Sequence, residues 1–370
     1  MQIEIYNMIP VGENISISLE AVCDSFSSLL WDIEYYKCGA FEVYIAASPR
    51  NVEVFQTGRI VGRDDDREHF GLIESVELET DAEDGDYLII KGRFLMCLLE
   101  RRIIYPTFNF TKLVSYSQII MNVVQYNACT SGIRKIPGLV VGCSSGTCWD
   151  TETKLQVSYD NLMEWVYTIC EKIGGTANIR LSKIADEQYE MIFELLQGTD
   201  RSILQKINPH IIFSDRYNNL LSFTYFTDTS VKKNYAYVLG KGEGEKRKRT
   251  IYFEGTEPSS LERYEVYVDA KDISDEEQIA NETKPISEIE YEELLKEKGK
   301  QNLVPTKTKS ESQIAVQSTQ FQYGVDYFVG DFVTVEHHRF GIRQNKIQLI
   351  GMIESFDRNG RNLTPTFKEE

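Results

Sequence analysis

The feature that most constrains the fold of this chain is a set of short segments in which apolar and polar residues alternate. Two of them, FEVYIAAS and GLIESVELET, lie early in the sequence. Alternation with a period of two is typical of strands that bury one face. The turn-forming segment DAEDGD at 81–86 precedes the strand pattern DYLIIKGRFL, which predicts a hairpin between this segment and GLIESVELET. SPRN at 48–51 predicts a further turn. Short strands at this spacing predict a barrel or a sandwich.

Two later segments have the periodicity of helices instead. Their apolar residues recur on one face at residues 115–128 and 158–175, and Gly174-Gly175 is a typical end for the second helix. Strand patterns surround both segments. The middle of the chain is therefore predicted to be a small α+β domain.

Strand patterns dominate again at 210–270 and at 313–370, where Asn359-Gly360 predicts a hairpin turn. Between these two stretches the chain is highly charged and poor in apolar residues. That composition predicts a connector or an inserted arm with no core of its own and with one helix at 286–299.

Together these patterns predict a β-rich α+β fold, since 370 residues are too many for one ordinary core. Two β-rich blocks flank the α+β domain, and the charged segment interrupts the second block. The predicted division is a first β-barrel domain at 1–110, an α+β domain at 111–205, the first part of a second β-barrel domain at 206–274, a charged connector or insert at 275–312, and the closing strands of the second barrel at 313–370.

The net charge of −17 argues against tight binding of nucleic acid, because neutralising phosphates requires a surplus of Lys and Arg. DNA is expected to slide past this protein rather than to bind it. The N-terminus has neither a basic region nor an apolar run, so no signal peptide is predicted. Membrane insertion is not expected either, since no run approaches about 18 apolar residues.

The seven cysteines follow neither a C-x-x-C pattern nor an even count, and reduced thiols are the expected state. Cys143 and Cys148 are the closest pair, and pairing or metal binding by these two stays open. All seven lie in the first half of the chain, at positions 23, 38, 97, 129, 143, 148 and 170.

Three other groups of residues are candidates for binding or catalysis. The glycine run at 240–244 lacks the phosphate-loop spacing and a following helix, so it predicts a flexible basic hairpin tip. The run Asp64-Asp65-Asp66 lacks calcium-loop spacing and predicts a solvated loop. The four histidines, His69, His210, His337 and His338, form no metal-binding motif. No catalytic, cofactor-binding or metal-binding residue is therefore predicted, and no cofactor.

Three segments together carry a resemblance to a known family. The segments are SSLLWDIEYYKCGAFEVYI (27–45) followed by 71–104, YNNLLSFTYFTDTSVKKNYAYVLGKGEG (217–244) followed by 261–274, and YGVDYFVGDFVTVEHHRFGIRQNKIQLIGMIESFDRNGRNLTPTF (323–367). In order and character they resemble the tail hub proteins of long-tailed phages, specifically the Gp-thirty-seven-like group of phages and prophages of Gram-positive bacteria.

The resemblance implies two barrels similar to those of the tail tube, a homotrimer, and a pseudo-sixfold ring that docks on a six-fold tube. It implies a structural, non-enzymatic hub with an acidic central channel, assembled in the bacterial host cytoplasm and located in a virion tail or phage-tail-like particle. The implied partners are further copies of the chain, a tail tube or distal tail protein, a tape-measure protein and a tip protein. Because the sequence ends at 370 without a further module, the spike or fibre is expected to be a separate chain.

Several alternatives stay open at this point. A carbohydrate-binding or host-recognition β-module is the main alternative, and a cell-wall hydrolase is a weaker one. The sequence does not separate contractile from flexible tails or a phage from a bacteriocin-like particle. Trp31, Tyr35 and Phe41 are expected to pack the first barrel, and Gly330-Asp331 is expected to form a turn before the strand DFVTV.

Overall fold

The computed structural model describes residues 1–81, 85–130, 132–185, 188–279, 282–305, 307–314 and 320–369. Part of the predicted turn at 81–86, part of the strand pattern at 314–321 and parts of the predicted connector lie outside these residues. β-Strands dominate the described chain, in agreement with the β-rich fold predicted from the alternating segments.

The strands fall into three groups along the chain. The first are β1 (Ile3–Val11), β2 (Asn14–Cys23), β3 (Ser28–Glu34), β4 (Ala40–Ala46), β5 (Ile60–Arg63), β6 (Asp66–Asp81) and β7 (Gly85–Phe94). The next are β8 (Phe108–Ser115), β9 (Leu139–Ser144), β10 (Glu152–Val157), β11 (Thr176–Ala185) and β12 (Gln188–Leu196). The last are β13 (Ile212–Ser214), β14 (Leu220–Asp228), β15 (Tyr235–Leu239), β16 (Arg249–Tyr252), β17 (Glu265–Asp269), β18 (Glu276–Ile279), β19 (Glu282–Pro285), β20 (Lys307–Ile314), β21 (Phe332–His337), β22 (Ile342–Asp357) and β23 (Gly360–Glu369).

Helices are short and fewer. The α-helices are α1 (Pro49–Val54), α2 (Cys97–Glu100), α3 (Tyr116–Val124), α4 (Leu162–Ile173) and α5 (Glu288–Gln301). A π-helical turn, Gln125–Cys129, continues α3, and 3₁₀ turns occupy Gly132–Arg134, Thr147–Asp150, Asp215–Tyr217, Gly244–Lys246, Ser260–Glu262 and His338–Phe340. None of these described helices has the length and apolar content that a membrane crossing requires.

One large sheet runs through most of the molecule. Its strand order is β11-β12-β2-β1-β5-β6-β7-β4-β3-β22-β23-β20-β14, with β9, β13 and β21 attached beside this path. The predicted hairpins are confirmed as β6-β7 and β22-β23, although the second turn consists of Arg358 and Asn359, with Gly360 as the first residue of β23. No closed barrel occurs among the described strands.

The large sheet contains the same arrangement twice. The order β5-β6-β7-β4-β3 recurs as β21-β22-β23-β20-β14, and both sets follow the same order along the chain. We call β3–β7 the first unit and β14 with β20–β23 the second unit. Each strand of one unit thus has a counterpart in the other: β3 and β14, β4 and β20, β5 and β21, β6 and β22, β7 and β23.

A matching irregularity fixes the alignment of the two units. The ladder between β6 and β7 passes from Ile73 to Ser75 across a bulge, and the ladder between β22 and β23 passes from Leu349 to Gly351 in the same way. An extra residue in one strand is a specific local feature. Its recurrence aligns Ile73 with Leu349.

Two glycines support the same alignment. The Gly58 N–H donates to the Ile73 carbonyl at 2.8 Å, and the Gly330 N–H donates to the Leu349 carbonyl at 2.7 Å. Both glycines have positive φ, +88° and +102°, a conformation that glycine adopts without steric cost. The two units therefore contain equivalent hydrogen bonds and have the same strand order.

The second unit differs from the first by a long insertion between β14 and β20. There β15, β16 and β17 form a separate sheet in the order β16-β15-β17, and β18 pairs with β19. Helix α5 begins at a capping box between Ser287 and Glu290 and packs on the small sheet. The expectation that the charged segment contributes no core is wrong for this helix, because its few apolar residues share one face. The buried residues of α5 are Tyr291, Leu294, Leu295 and Gly299.

The largest buried cluster lies mainly in residues 95–211, between β7 and β13, which we call the middle region, and it also includes a few residues of β2, β5 and β6. Helices α3 and α4 confirm the two helical patterns, and α4 ends at Gly174 in the left-handed conformation. Hairpin β11-β12 adds to the large sheet through two pairs between β12 and β2. SPRN, predicted as a turn, instead begins α1, because the Ser48 side chain accepts a hydrogen bond from the Asn51 N–H and Pro49 occupies the first turn.

Candidate functional site

The two units meet where β3 of the first pairs with β22 of the second. The ladder is antiparallel and runs from Glu34 opposite Gly351 to Leu29 opposite Phe356. The Tyr35 N–H adds a hydrogen bond of 2.9 Å to the carbonyl of Ile350. We call this contact the internal junction.

A buried ion pair crosses the internal junction. Arg63, at the end of β5, lies 3.2 Å from the Glu354 carboxylate on β22, and the two side chains are 1% and 3% exposed. Arg63 also donates to Asp65 at 2.9 Å, and Arg361 donates to Glu354. Burial lowers the pKa of Arg63, but the carboxylates of Asp65 and Glu354 outweigh this effect, so its pKa is raised. The guanidinium is therefore charged at any physiological pH.

Aromatic rings surround the Arg63 guanidinium. Its carbon lies 5.4 Å from the centre of the Trp31 ring and 4.8 Å from that of Phe356. The Trp31 ring in turn packs against Phe41 and Phe94, with centroids 5.8 and 4.9 Å apart. The predicted packing role of Trp31 and Phe41 agrees with their position in this buried cluster.

Asp66 is the first residue of β6 and its side chain is only 13% exposed, which corrects the expectation of a solvated loop at this residue. Trp31 Nε1 donates to the Asp66 carboxylate at 2.9 Å, and His69 Nδ1 lies 2.9 Å from it. Burial raises the pKa of Asp66, but the His69 ring, the Trp31 N–H and Arg63 outweigh this effect and lower it well below its usual range. The carboxylate thus holds the Trp31 ring at the junction.

Tyr35 lies outside the cluster that contains Trp31, contrary to the expectation that it packs with Trp31 and Phe41. Its hydroxyl accepts a hydrogen bond from the Gly198 N–H at 2.9 Å and donates one to the Gly174 carbonyl at 3.3 Å. Burial raises the pKa of the Tyr35 phenol. Its ring also lies against Gly330, where an added Cβ would come within 2.2 Å. Tyr35 therefore joins the first unit, the middle region and the second unit.

The turn expected at Gly330-Asp331 is confirmed, with the Asp331 N–H 3.2 Å from the Phe328 carbonyl. The buried Asp331 carboxylate accepts hydrogen bonds from the Thr199 N–H at 2.7 Å and from Arg201 at 2.8 Å. The turn before β21 is thereby tied to the segment that follows β12.

The predicted basic tip at 240–244 is a hairpin between β15 and β16, but its cations face carboxylates of the same chain. Lys241 lies 2.6 Å from Asp275, and Arg247 pairs with Asp269. Lys248 likewise pairs with Glu288 at the start of α5. These contacts attach the tip to the rest of the insertion.

The cysteines are all free thiols, so Cys143 and Cys148 form no disulfide. Burial raises the pKa of the Cys38 and Cys97 thiols to about 12, which keeps them protonated and unreactive. In the described part of the chain, no three potential ligands among His, Cys, Asp and Glu come together as a metal site would require.

Sequence reasoning missed Arg63 and Glu354, the central residues of the internal junction. Their signal is weak but present, since each is a charged residue within or at the end of an otherwise apolar strand pattern. Such residues are rarely buried unless paired. The partner could not be identified from sequence because it lies 291 residues away.

Three solved structures share the fold over the whole chain. A tail protein from Neisseria meningitidis MC58 matches 100% of this chain and 96% of its own, with 14% identity and a TM-score of 0.58. The prophage tail protein gp18 from Listeria monocytogenes EGD-e matches 100% and 95%, with 11% identity and a TM-score of 0.55. The 43 kDa tail protein of prophage MuSo2 from Shewanella oneidensis matches 99% and 98%, with 12% identity and a TM-score of 0.54.

These identities are low, so the likeness establishes the fold alone. No curated protein matches the sequence. A family model, in contrast, matches residues 3–367, which include both units, the middle region and the insertion. The chain belongs to the family of Siphovirus ReqiPepy6 Gp37-like proteins.

Proposed function

We propose that the protein is a structural hub of a phage tail, which joins the tail tube to the baseplate or to the tail tip and spike. Its working form is a homotrimer arranged as a pseudo-sixfold ring around an acidic channel. Membership of the siphovirus family supports a role in the virion. The fold shared with three tail proteins, two of them from prophages, supports a place in the tail.

The single observation that carries the proposal is the duplication of the five-strand unit within the chain. Two similar units in each of three chains supply six similar positions. A ring of this kind can match a six-fold tube although it has only three-fold symmetry. The internal junction fixes the angle between the two units of a chain, because buried ion pairs and strand ladders both have specific geometry.

The role is structural, with no chemical step assigned to the chain. The net charge of −17 supports an acidic channel through which DNA passes without binding. The proposed partners are two further copies of the chain, a tail tube or distal tail protein, a tape-measure protein, and a separate spike, fibre or tip protein.

We also propose a domain division that modifies the predicted one. Four buried clusters divide the described chain into a first unit, a middle region, a second unit and the insertion. The first unit, with β1 and β2, resembles one tail-tube barrel, and the second unit, with β13, resembles the other. The insertion between β14 and β20 decorates the second of them.

Light scattering of the purified chain, followed by negative-stain imaging, tests the hub. The expected result is a mass of three chains and a ring with a central hole. The hub is rejected if the chain stays monomeric at high concentration and also fails to form rings when mixed with its tail tube protein. Imaging the mixture is necessary because a hub can assemble on the tube.

A further inference from the structure

The duplication makes a prediction about strand edges. Within the chain, the end strand of the first unit, β3, pairs with the last part of the long strand of the second unit, β22. The counterparts of these two strands are β14 and β6. If the two units are equivalent in the ring, β14 should pair with the last part of β6.

That pairing is not made within one chain. Among the described strands, β14 is the last in the sheet and has β20 beside it. Strand β6 pairs with β7 along residues 71–81, but on its other side the pairs with β5 extend no further than Leu72. The last part of β6 is thus an edge among the described strands, at the place where β22 carries β3.

We propose that β14 of one copy adds to residues 75–80 of β6 in a second copy, as an antiparallel strand. This inference rests on the proposed hub, and it identifies the surface through which its chains meet. Because β14 and β6 are different patches, the contact is head-to-tail and generates a ring when the rotation closes. The large sheet then continues from one copy to the next, as in other cases of strand addition.

The matching bulges determine the register of this external junction. Ser75 is the counterpart of Gly351, and Asp228 is the counterpart of Glu34, so Asp228 is placed opposite Ser75 of the second copy. Continuing along the strands, Thr224 lies opposite Glu79. Opposite residues in an antiparallel pair are about 4.5–5.5 Å apart, which is a testable distance.

The side chains on the edge of β6 favour a strand as the occupant. Leu78 is 59% exposed, whereas its counterpart Glu354 is 2% exposed beneath β3. A second apolar side chain, Phe226 on β14, is also exposed. Exposed edges of soluble proteins usually carry charges or Pro that prevent pairing. Glu77 and Glu79 are such charges, but Leu78 between them is apolar, as expected where a strand docks.

A cysteine pair tests both the contact and its register. In a Cys143→Ser background, which removes the exposed native thiol, Thr224→Cys with Glu79→Cys should give disulfide-linked species of two and three chains. The matched positive control is Leu30→Cys with Ser355→Cys, the counterpart positions of the internal junction. This control pair should link within one chain and leave the mass unchanged.

A shifted pair provides the negative control. Thr224→Cys with Glu77→Cys moves the partner by two residues and should link far less. If the chain is trimeric by light scattering but Thr224→Cys with Glu79→Cys links no better than the shifted pair, this junction is wrong and the hub stands. If the chain never assembles, alone or on the tube, the proposed junction and the proposed hub are both wrong.

A substitution gives an independent measurement. Leu78→Lys should weaken self-association roughly tenfold or more, because docking would bury an unpaired ammonium group. Since Leu78 is exposed in the single chain, the variant should keep its circular dichroism spectrum and melting temperature. Unchanged self-association of the folded variant would overturn the proposed junction.

Discussion

The last part of β6 and the last part of β22 occupy equivalent positions in the two units. A charged side chain is buried at this position in β22, whereas an apolar side chain is exposed there in β6. In β22 the charged Glu354 is 2% exposed, and in β6 its apolar counterpart Leu78 is 59% exposed. Glu354 tolerates burial because Arg63 and Arg361 neutralise it. The difference indicates that β22 is suited to β3, its neighbour within the chain, and it agrees with the neighbour proposed for β6 in a second copy.

The largest effect is expected when the internal junction loses its carboxylate. Glu354→Ala leaves the buried Arg63 with Asp65 alone and should lower the free energy of unfolding by about 3–5 kcal/mol, as for other broken buried pairs. Chemical denaturation measures this loss in the free energy of unfolding. The matched control at the counterpart position, Leu78→Ala, should change the stability of the single chain by less than about 0.5 kcal/mol. Equal effects at the two positions would refute the comparison.

Alanine substitution of two equivalent glycines should lower the stability of the fold by different amounts. Gly330→Ala forces a Cβ within 2.2 Å of the Tyr35 ring at positive φ and should cost about 2–5 kcal/mol. Gly58→Ala meets nothing within 4 Å and should cost only the backbone strain, about 1–2 kcal/mol. Thermal unfolding of both variants is the measurement. A larger loss of stability in Gly58→Ala than in Gly330→Ala would show that the close contact between Gly330 and Tyr35 does not determine the cost of substitution.

Asp66 should make the first unit sensitive to acid. Its pKa is lowered in the folded chain, so its contribution is complete above the unfolded value of about 3.9 and is lost as pH falls further. Asp66→Asn should cost about 1–3 kcal/mol at neutral pH, because charged hydrogen bonds to Trp31 and His69 are lost. The stability difference between wild type and variant should shrink below about pH 4. A difference that is constant from pH 7 to pH 3 would contradict this assignment.

The smallest effect is expected where the insertion contacts the middle region. Lys154 lies 2.8 Å from Glu293 on α5, and the two side chains are 29% and 51% exposed. Lys154→Ala should therefore change the free energy of unfolding by less than about 1 kcal/mol, as is usual for ion pairs at the surface. Repeating the measurement in high salt provides the control, since screening should remove the difference. A loss comparable with that of Glu354→Ala would mean that the insertion is part of the core.

Local patterns in the sequence predicted the elements whose causes are local. The hairpin between β6 and β7 follows from alternation around turn-forming residues, and α4 follows from its apolar stripe and Gly174. The presence of Trp31 and Phe41 in a core follows from their size and spacing on neighbouring strands. Such features need no knowledge of distant residues.

The duplication could not be predicted from local sequence patterns, because equivalent positions in the two units share backbone geometry rather than residue type. The equivalent positions 58 and 330 are both glycine. However, Leu78 and Glu354 differ in charge, and Trp31 corresponds to a different residue type, Tyr225. Tyr35 was assigned to the wrong contacts for a related reason. Its partners lie in distant parts of the chain, which only the folded structure brings together.

The length of the long strand has a consequence for how this chain can change in evolution. Strands β6 and β22 are each 16 residues long, and β22 reaches beyond its own unit to β3 of the first unit. A deletion or insertion of one residue within either strand would turn every later side chain to the opposite face. Gains and losses of residues should therefore be tolerated in the segment between β14 and β20 and selected against in these strands. Related sequences should differ in length mainly at that insertion.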